Sequence, residues 1–383
     1  METIAPFLEV IDEIKEAGGD VFKLCFQCGL CDTVCPWNRV RPFSMRRLIR
    51  EAAFGLSEVE GEDIWRCTTC GTCPAQCPRG VKQIDMAVAL RRVATEYELF
   101  PASVKSARTA RASLISEGNP LQGDRKKRAD WAKDLSVKPY VEGMEALYFV
   151  GCYLSYDPRM KRVATATAKI LKSAGVDFGI LGDKESCCGE SIRKTGSEQV
   201  FKDLARANIK TFIDSGVKKI IVSSPHCYHT FKNEYPEFMV NFDVVHISQY
   251  LGELLEEGRL VLKGEYPKRV TFHDPCYLGR HNGVYDAPRK VLNKIFGLEL
   301  VEMAAHGKNS LCCGGGGGRI WMDTPREERF SDIRLQQAHG AGAQILATAC
   351  PYCITNFEES RLNLSYEGVL EVKDITEIIS ELL

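Results

Sequence analysis

Seventeen cysteines fall into a few spaced groups, and their spacing is typical of metal ligation rather than of disulfide bonding. Two groups share the form C-x2-C-x2-C-x3-C-P, a run that binds cubane [4Fe-4S] clusters and whose fourth cysteine ligates the other cluster. The expected ligand sets are therefore Cys25, Cys28, Cys31 and Cys77 for one cubane, and Cys67, Cys70, Cys73 and Cys35 for the other. Zinc is disfavoured here, because it takes four ligands in C-x2-C pairs.

The other nine cysteines form two related sets that each contain an adjacent pair. The sets are Cys152, Cys187, Cys188 and Cys227, then Cys276, Cys312, Cys313, Cys350 and Cys353. Five thiols are one more than a cubane needs, and two adjacent cysteines cannot both direct their sulfurs at one compact cluster without strain. The second set therefore favours a more open iron–sulfur assembly in which one thiolate bridges irons. The first set has Thr230 where the second has Cys353. Four thiols leave zinc, a conventional cluster or a vestigial site open, and His226 or His229 either adds a ligand or lies beside the ligands.

Polar and glycine residues flank the five-cysteine set. Gly314–Gly318 lets the backbone approach a bulky group, and a nucleotide-binding loop is excluded because Arg319 stands where its lysine belongs. His273, Asp274 and His281 are the nearest titratable residues. A proton donor is one hypothesis for them, and tuning of the cluster or folding of the loop is the other.

The elements that must position the first eight cysteines are helical. Apolar residues recur at helical spacing at Ile4, Leu8, Ile11 and Ile14 and through Met45–Ala52, and a further helix is predicted from Gln83 to Tyr97. Residues 1–100 are therefore predicted to form a helical domain with two [4Fe-4S] motifs. Residues 101–143 are polar and basic and are predicted to be an ordered linker or arm.

From residue 144 the pattern alternates strands with helices, and it occurs twice. The distance from Cys152 to Cys276 is 124 positions, and the other two anchors, Cys187 to Cys312 and Cys227 to Cys350, are separated by 125 and 123. This agreement predicts an internal duplication into residues 144–263 and 264–383, each an α/β domain of parallel type. The predicted fold class is α+β and multidomain.

Bulk properties exclude several functions and locations. A net charge of −1 gives no electrostatic case for a nucleic-acid partner, and 44% hydrophobic residues indicate a globular protein. Met1–Glu16 is too acidic for a secretion signal, and no apolar run reaches the ~20 residues that span a bilayer. We expect a cytoplasmic protein that reaches a membrane through a partner at most.

The duplicated C-x34/35-C-C-G … C-P-x-C region resembles the cysteine-rich (CCG) domains of heterodisulfide reductase, and the double motif before it resembles that enzyme's iron–sulfur subunit. The layout is also similar to iron–sulfur subunits of glycolate, lactate and glycerol-3-phosphate dehydrogenases and of benzoyl-CoA reductase systems. The resemblance implies a noncubane [4Fe-4S] cluster on the five-cysteine set, and it allows zinc at the first CCG domain.

The resemblance implies an electron-transfer subunit that works between the cubanes and the C-terminal cluster of a redox complex. Its partners would be a flavoprotein, a quinone-linked membrane subunit or an acyl-CoA reductase system. The alternative is a catalytic subunit that cleaves a disulfide substrate at the C-terminal set, with Cys276, Cys312, Cys313, Cys350 and Cys353 as catalytic residues. A weaker alternative is a zinc-stabilised scaffold.

Overall fold

The computed structural model describes residues 6–56, 59 and 61–383, so the first five residues of the acidic N-terminal stretch lie outside it. The chain divides into two compact units. The first unit contains residues up to Thr109 together with Ser191–Phe201 and Gly314–Phe330, and the second contains Ala110–Glu190, Lys202–Cys313 and Ser331–Leu383. Within the described ranges, no helix is both long and apolar enough to cross a membrane.

The first unit is helical, as the sequence predicted. Its α-helices span Leu8–Ile14, Leu30–Val34, Met45–Ala53, Asp63–Arg66, Thr72–Gln76 and Gln83–Glu96. The Ser44 side chain caps the third of these by accepting a hydrogen bond from the Arg47 amide, and its apolar face, with Leu48 and Ile49, is buried. The last helix is buried along most of its length, and it forms the centre of this unit.

The second unit contains two parallel sheets. The strands of the first are β1 Lys138–Pro139, β2 Ala146–Phe149, β3 Phe178–Ile180, β4 Lys219–Val222 and β5 Asp243–His246, in the spatial order β1-β3-β2-β4-β5. The strands of the second are β6 Arg269–Phe272, β7 Glu299–Leu300, β8 Ile345–Thr348 and β9 Glu371–Asp374, in the order β7-β6-β8-β9. Apart from the extra edge strand β1, the two sheets share one order, which is what a duplicated sequence requires.

The remaining α-helices of the described chain lie before, between and after these strands in sequence. They span Lys105–Glu117, Cys152–Tyr156, Lys161–Ser173, Glu190–Lys194, Glu198–Asp214, Pro225–His229, Ile247–Glu256, Asp286–Asn293, Phe330–Gly340, Pro351–Asn363 and Ile375–Ser380. The two copies meet at Arg159, whose guanidinium bonds Glu358, Glu377 and the Val372 carbonyl. The segment 101–143, predicted to be an ordered linker or arm, carries the helix Lys105–Glu117 and short 3-10 turns.

Candidate metal centres

Each ferredoxin-type motif folds into a tight loop because two residues take left-handed backbone angles. In the first motif these are Gln27 and Gly29, with φ of 64° and 84°, and in the second Thr69 and Gly71, with φ of 50° and 77°. A β-branched residue rarely adopts this conformation, so Thr69 stores backbone strain that its fully buried surroundings must hold in place. The Thr69 amide points at the Cys67 sulfur, 3.4 Å away, which is how such a loop wraps its N–H groups around a cluster.

The eight cysteines of these motifs gather into two groups across the motifs. One pocket is lined by Cys25, Cys28 and Cys31 of the first motif and by Cys77 of the second. Cys73 lies beside the other three members of the second predicted set. Burial raises the pKa of Cys73 most, and the neighbouring thiols, Cys67 and Cys70 first, raise it further. The exposed Cys28 belongs to the first of these groups, and the exchange of fourth cysteines between two clusters stays a prediction.

In the first cysteine-rich copy, four buried thiols form a chain of hydrogen-bonded neighbours. The order is Cys152, Cys187, Cys188 and Cys227. Cys152 begins a helix after β2, and Cys227 lies in the helix after β4, so the carboxyl ends of neighbouring parallel strands supply both. Thr230 is fully buried, and within the described residues its hydroxyl has no hydrogen-bond partner.

A buried ion pair, absent from the sequence prediction, supports this four-cysteine site. Arg128, from the segment predicted to be a linker, donates to the Glu185 carboxylate at 2.7 Å and to the Cys152 sulfur at 3.6 Å. Glu185 also accepts the amides of Val150 and Gly151 at 3.1 and 2.9 Å, so its carboxylate fixes the turn that precedes Cys152. The guanidinium therefore supplies positive charge beside a set of thiols that metal binding would ionise.

In the second copy, all five predicted thiols come together, each with at most 7% of its surface exposed. Cys276 hydrogen-bonds Cys312, the sulfurs of Cys353 and Cys313 are 3.3 Å apart, and Cys350 hydrogen-bonds Cys353. Hydrogen bonding with Cys312, burial and nearby thiols raise the pKa of Cys276 well above its ordinary value. Thiols whose pKa is raised well above the ordinary value, such as Cys276 and Cys353, stay protonated until a metal ion supplies the compensating positive charge, whereas the pKa of Cys350 is lowered to about 5.

Two histidines serve this second set. His226, which belongs to the first copy, lies between the rings of Tyr277 and Tyr352, with centroids 4.2 and 4.4 Å away. Burial lowers its pKa, but the Glu190 carboxylate, 3.1 Å away, and a hydrogen bond with Cys350 raise it to about 10. His226 is therefore a cation that stabilises the Cys350 thiolate, a role that its sequence position beside Cys227 did not indicate.

The other histidine, His273, follows β6, and one of its ring nitrogens lies with the sulfurs of Cys313 and Cys353 within 4.8 Å of one another. Its neighbour Asp274 is engaged elsewhere, bonded to Arg289 at 2.6 Å and to the Gly307 amide at 2.7 Å. His281, the third titratable residue of the prediction, stacks on Tyr277 instead. Among the described residues, His273 is the only one of the three whose ring nitrogen lies within 4.8 Å of cysteine sulfurs as part of such a cluster.

The glycine run after Cys313 packs within the first unit against the second ferredoxin-type motif. A Cβ atom on Gly316 would meet the Thr68 carbonyl at 2.5 Å, and one on Gly317 would meet the Cys67 carbonyl at 2.5 Å. Glycine is required here because of this close approach of two backbones, and at Gly317 also because φ is 63°. The Arg91 guanidinium stabilises this contact by donating hydrogen bonds to the carbonyls of Cys67 and Gly317, at 2.7 and 2.8 Å.

The donor sets fit the metal groups that the sequence indicated. Each ferredoxin-type group offers four thiols, as a cubane requires, and the C-terminal set offers five in a dry pocket. The first cysteine-rich copy offers four, which suits zinc as well as iron.

Comparisons with known proteins agree with this organisation. Residues 22–81 match a 4Fe-4S dicluster domain, and residues 146–232 and 270–358 each match a cysteine-rich (CCG) domain. These matches confirm the predicted two-cluster domain followed by a duplicated cysteine-rich domain, and 4Fe-4S clusters as the class of cofactor.

Several relatives are similar over most of this chain. The probable iron-sulfur-binding oxidoreductase FadF of Bacillus subtilis is 38% identical over 84% of the chain and 46% of its own length. EtfAB:quinone oxidoreductase of Syntrophomonas wolfei is 35% identical over 84% of the chain and 46% of its own length. A subunit of the dihydromethanophenazine:CoB–CoM heterodisulfide reductase of Methanosarcina mazei is 31% identical over 94% of the chain and 93% of its own length. The chain thus spans about half the length of the first two and nearly all of the third.

Proposed function

The chain belongs to a family of heterodisulfide reductase subunits and related iron–sulfur oxidoreductases, and we propose that it is the electron-transfer subunit of a multi-subunit redox complex. The observation that carries this proposal is the sorting of thirteen cysteines into two groups of four and one dry group of five. Bound [4Fe-4S] clusters supply one-electron redox chemistry. The sequence has no flavin or dinucleotide fingerprint, so hydride chemistry falls to a partner.

The cysteines divide the work as follows in this proposal. Cys25, Cys28, Cys31 and Cys77 hold one cubane, and Cys67, Cys70, Cys73 and Cys35 hold the other. Cys276, Cys312, Cys313, Cys350 and Cys353 hold the noncubane cluster. The first group is where electrons enter or leave, because Cys28 is exposed while the five C-terminal thiols are buried.

Within the first unit, the glycine run contacts the backbone of Cys67 and Thr68, in the loop proposed to carry the second cubane. Gly314 follows Cys313 directly in the chain, so one short segment joins the C-terminal ligands to the ferredoxin-type loop. Arg91 keeps that segment in place. The role proposed for these residues is to hold the ferredoxin-type loop of Cys67 rigid.

The four-cysteine site of the first copy is proposed as a structural metal site that takes zinc or a conventional cluster. Thr230 supplies no thiolate there, which argues against a second five-thiolate assembly. The Arg128–Glu185 pair fixes the turn at Cys152 and balances the charge of the ionised thiols.

Disulfide cleavage at the C-terminal set, the alternative, is not favoured, because two of the three relatives described above are named as oxidoreductases with no disulfide substrate. The printed name of one relative, EtfAB:quinone oxidoreductase, suggests a flavoprotein or quinone-linked partner for this chain. Free thiols at all seventeen cysteines, every one of which is described, suit a reducing compartment such as the cytoplasm.

Anaerobic iron and zinc analysis with low-temperature paramagnetic resonance tests the proposal. Three clusters would give about twelve irons per chain, whereas the two cubanes alone give about eight. Cys353→Ser should remove only the C-terminal signal, and the control Cys73→Ser should alter only a ferredoxin-type signal. A wild-type chain with about eight irons and no third signal would refute the noncubane assignment.

A further inference from the structure

His273 has a fixed orientation beside the C-terminal cysteines. It follows β6 directly, its amide bonds the Ala347 carbonyl at 2.8 Å, and its side chain is almost fully buried. The ring of Phe357 packs against its ring edge-on, with centroids 4.8 Å apart. The imidazole is thus held both by the strand and by a core aromatic residue.

A buried arginine determines which ring nitrogen carries the proton. Arg334 donates its Nε–H to His273 Nδ1 at 3.1 Å. The remaining guanidinium nitrogens are held by the Ala305 carbonyl at 2.6 Å and by the hydroxyl of Ser310 at 3.3 Å. Arginine has no acceptor, so Nδ1 must be the acceptor and the proton of the neutral imidazole must be on Nε2.

The ring is neutral, and its N–H has no other partner among the described residues. Burial and then the positive charge of Arg334 lower the pKa of His273 well below its ordinary value. Within the residues that the structure describes, the Nε2 atom of His273 is buried and makes no hydrogen bond. A ring nitrogen also lies within 4.8 Å of the sulfurs of Cys313 and Cys353. Because Nδ1 accepts from Arg334, Nε2–H is the ring group that remains to donate a hydrogen bond.

We propose that His273 is a positioning residue that donates its Nε2–H to the sulfur atoms of the C-terminal site, with its tautomer set by Arg334, and that it is not a metal ligand. A nitrogen that carries a proton has no free lone pair for iron or zinc, which decides between the two roles. This inference rests on the proposed function, since it requires a cluster on the five cysteines.

An N–H donor to sulfur stabilises the more negative, reduced form of a cluster, and hydrogen bonds to the sulfurs are one determinant of cluster potential. His273 therefore raises the reduction potential of the C-terminal site. Arg334 acts through it, by keeping the proton on the nitrogen that faces the cysteines.

The test compares two variants of the full chain by anaerobic redox titration followed by paramagnetic resonance. His273→Leu removes the donor, and its C-terminal midpoint should shift to lower potential. His273→Gln places an amide N–H near the position of Nε2, and its midpoint should stay closer to wild type. The control is His339→Leu, an exposed histidine on the same helix as Arg334, which should leave the midpoint unchanged.

A second readout separates a donor from a ligand. In wild type, the C-terminal signal should couple to a proton that exchanges in heavy water and only weakly to nitrogen, and the proton coupling should be lost in His273→Leu. A strong nitrogen coupling, or a His273→Leu midpoint equal to that of wild type, would overturn this inference while leaving the proposed function intact. A wild-type chain without any C-terminal signal would overturn the proposed function and this inference with it.

Discussion

Arg91 provides the sharpest test of how the ferredoxin-type unit is held together. Its side chain is completely buried, and its guanidinium donates to four main-chain carbonyls. The acceptors and distances are Ile64 at 2.8 Å, Cys67 at 2.7 Å, Gly317 at 2.8 Å and Lys194 at 3.0 Å. Residues from three separate stretches of sequence thus depend on one side chain.

The change Arg91→Met keeps much of the length of the side chain and removes every donor. A buried acceptor left unsatisfied costs about 1–3 kcal/mol, so four at the low end give about 4 kcal/mol. Burial of methionine in place of a guanidinium returns part of this, and we expect a net loss of about 2–4 kcal/mol. With a urea slope of about 3 kcal/mol per molar, the unfolding midpoint should fall by about 1 M.

Urea unfolding is followed by tryptophan fluorescence, because Trp65 lies against the Arg91 guanidinium, and by loss of the visible iron–sulfur absorption. The control is Arg108→Met, an exposed arginine whose contact with Glu98 is 3.9 Å, for which a change within about 0.5 kcal/mol is expected. Equal midpoints for the two variants would refute the role given to Arg91.

Three further predictions concern the second unit. Arg128→Met should destabilise the fold by about 3–5 kcal/mol in urea unfolding, because it leaves the Glu185 carboxylate buried and unpaired. The double variant Arg128→Met with Glu185→Leu should recover part of this loss. If the double variant recovers none of it, the pairing of Arg128 with Glu185 is contradicted. His226→Phe should lower the midpoint potential of the C-terminal signal, because it removes a cation beside Cys350, and an unchanged titration would disprove that contact. Burial raises the pKa of Asp374 to about 7, so this carboxyl binds its proton more tightly in the folded chain, and its contribution to stability is lost as pH rises from about 4 to about 7. Asp374→Asn should therefore gain stability relative to wild type by roughly 3 kcal/mol between pH 5 and pH 8, because about two pH units of that window lie below the folded pKa, and parallel pH profiles would contradict this.

Local patterns in the sequence were sufficient for many elements. Helical spacing predicted the helix found at Met45–Ala53, because this signal lies within one element. The repeat of cysteine anchors at about 124 positions predicted two copies of one α/β pattern, and the strand orders agree with it. The grouping of cysteines followed from the known chemistry of their spacing.

Contacts between distant parts of the chain were not predictable in this way. Arg128 appeared to belong to a linker because its partner, Glu185, is 57 residues away. His226 looked like a neighbour of Cys227, whereas its hydrogen bond goes to Cys350 in the other copy. Such pairings depend on how copies of a repeat pack, and a single sequence carries no periodic signal for them.

The central claim, that electrons pass from the ferredoxin-type cysteines to the C-terminal set, is tested most directly by rapid-freeze paramagnetic resonance during reduction with dithionite. Cys28 is exposed and the five C-terminal thiols are buried, so reduction should begin at the first group. The account predicts that the ferredoxin-type signals appear first, that the C-terminal signal follows, and that Cys70→Ser delays it. A C-terminal signal that grows first, or at the wild-type rate in Cys70→Ser, would contradict the account.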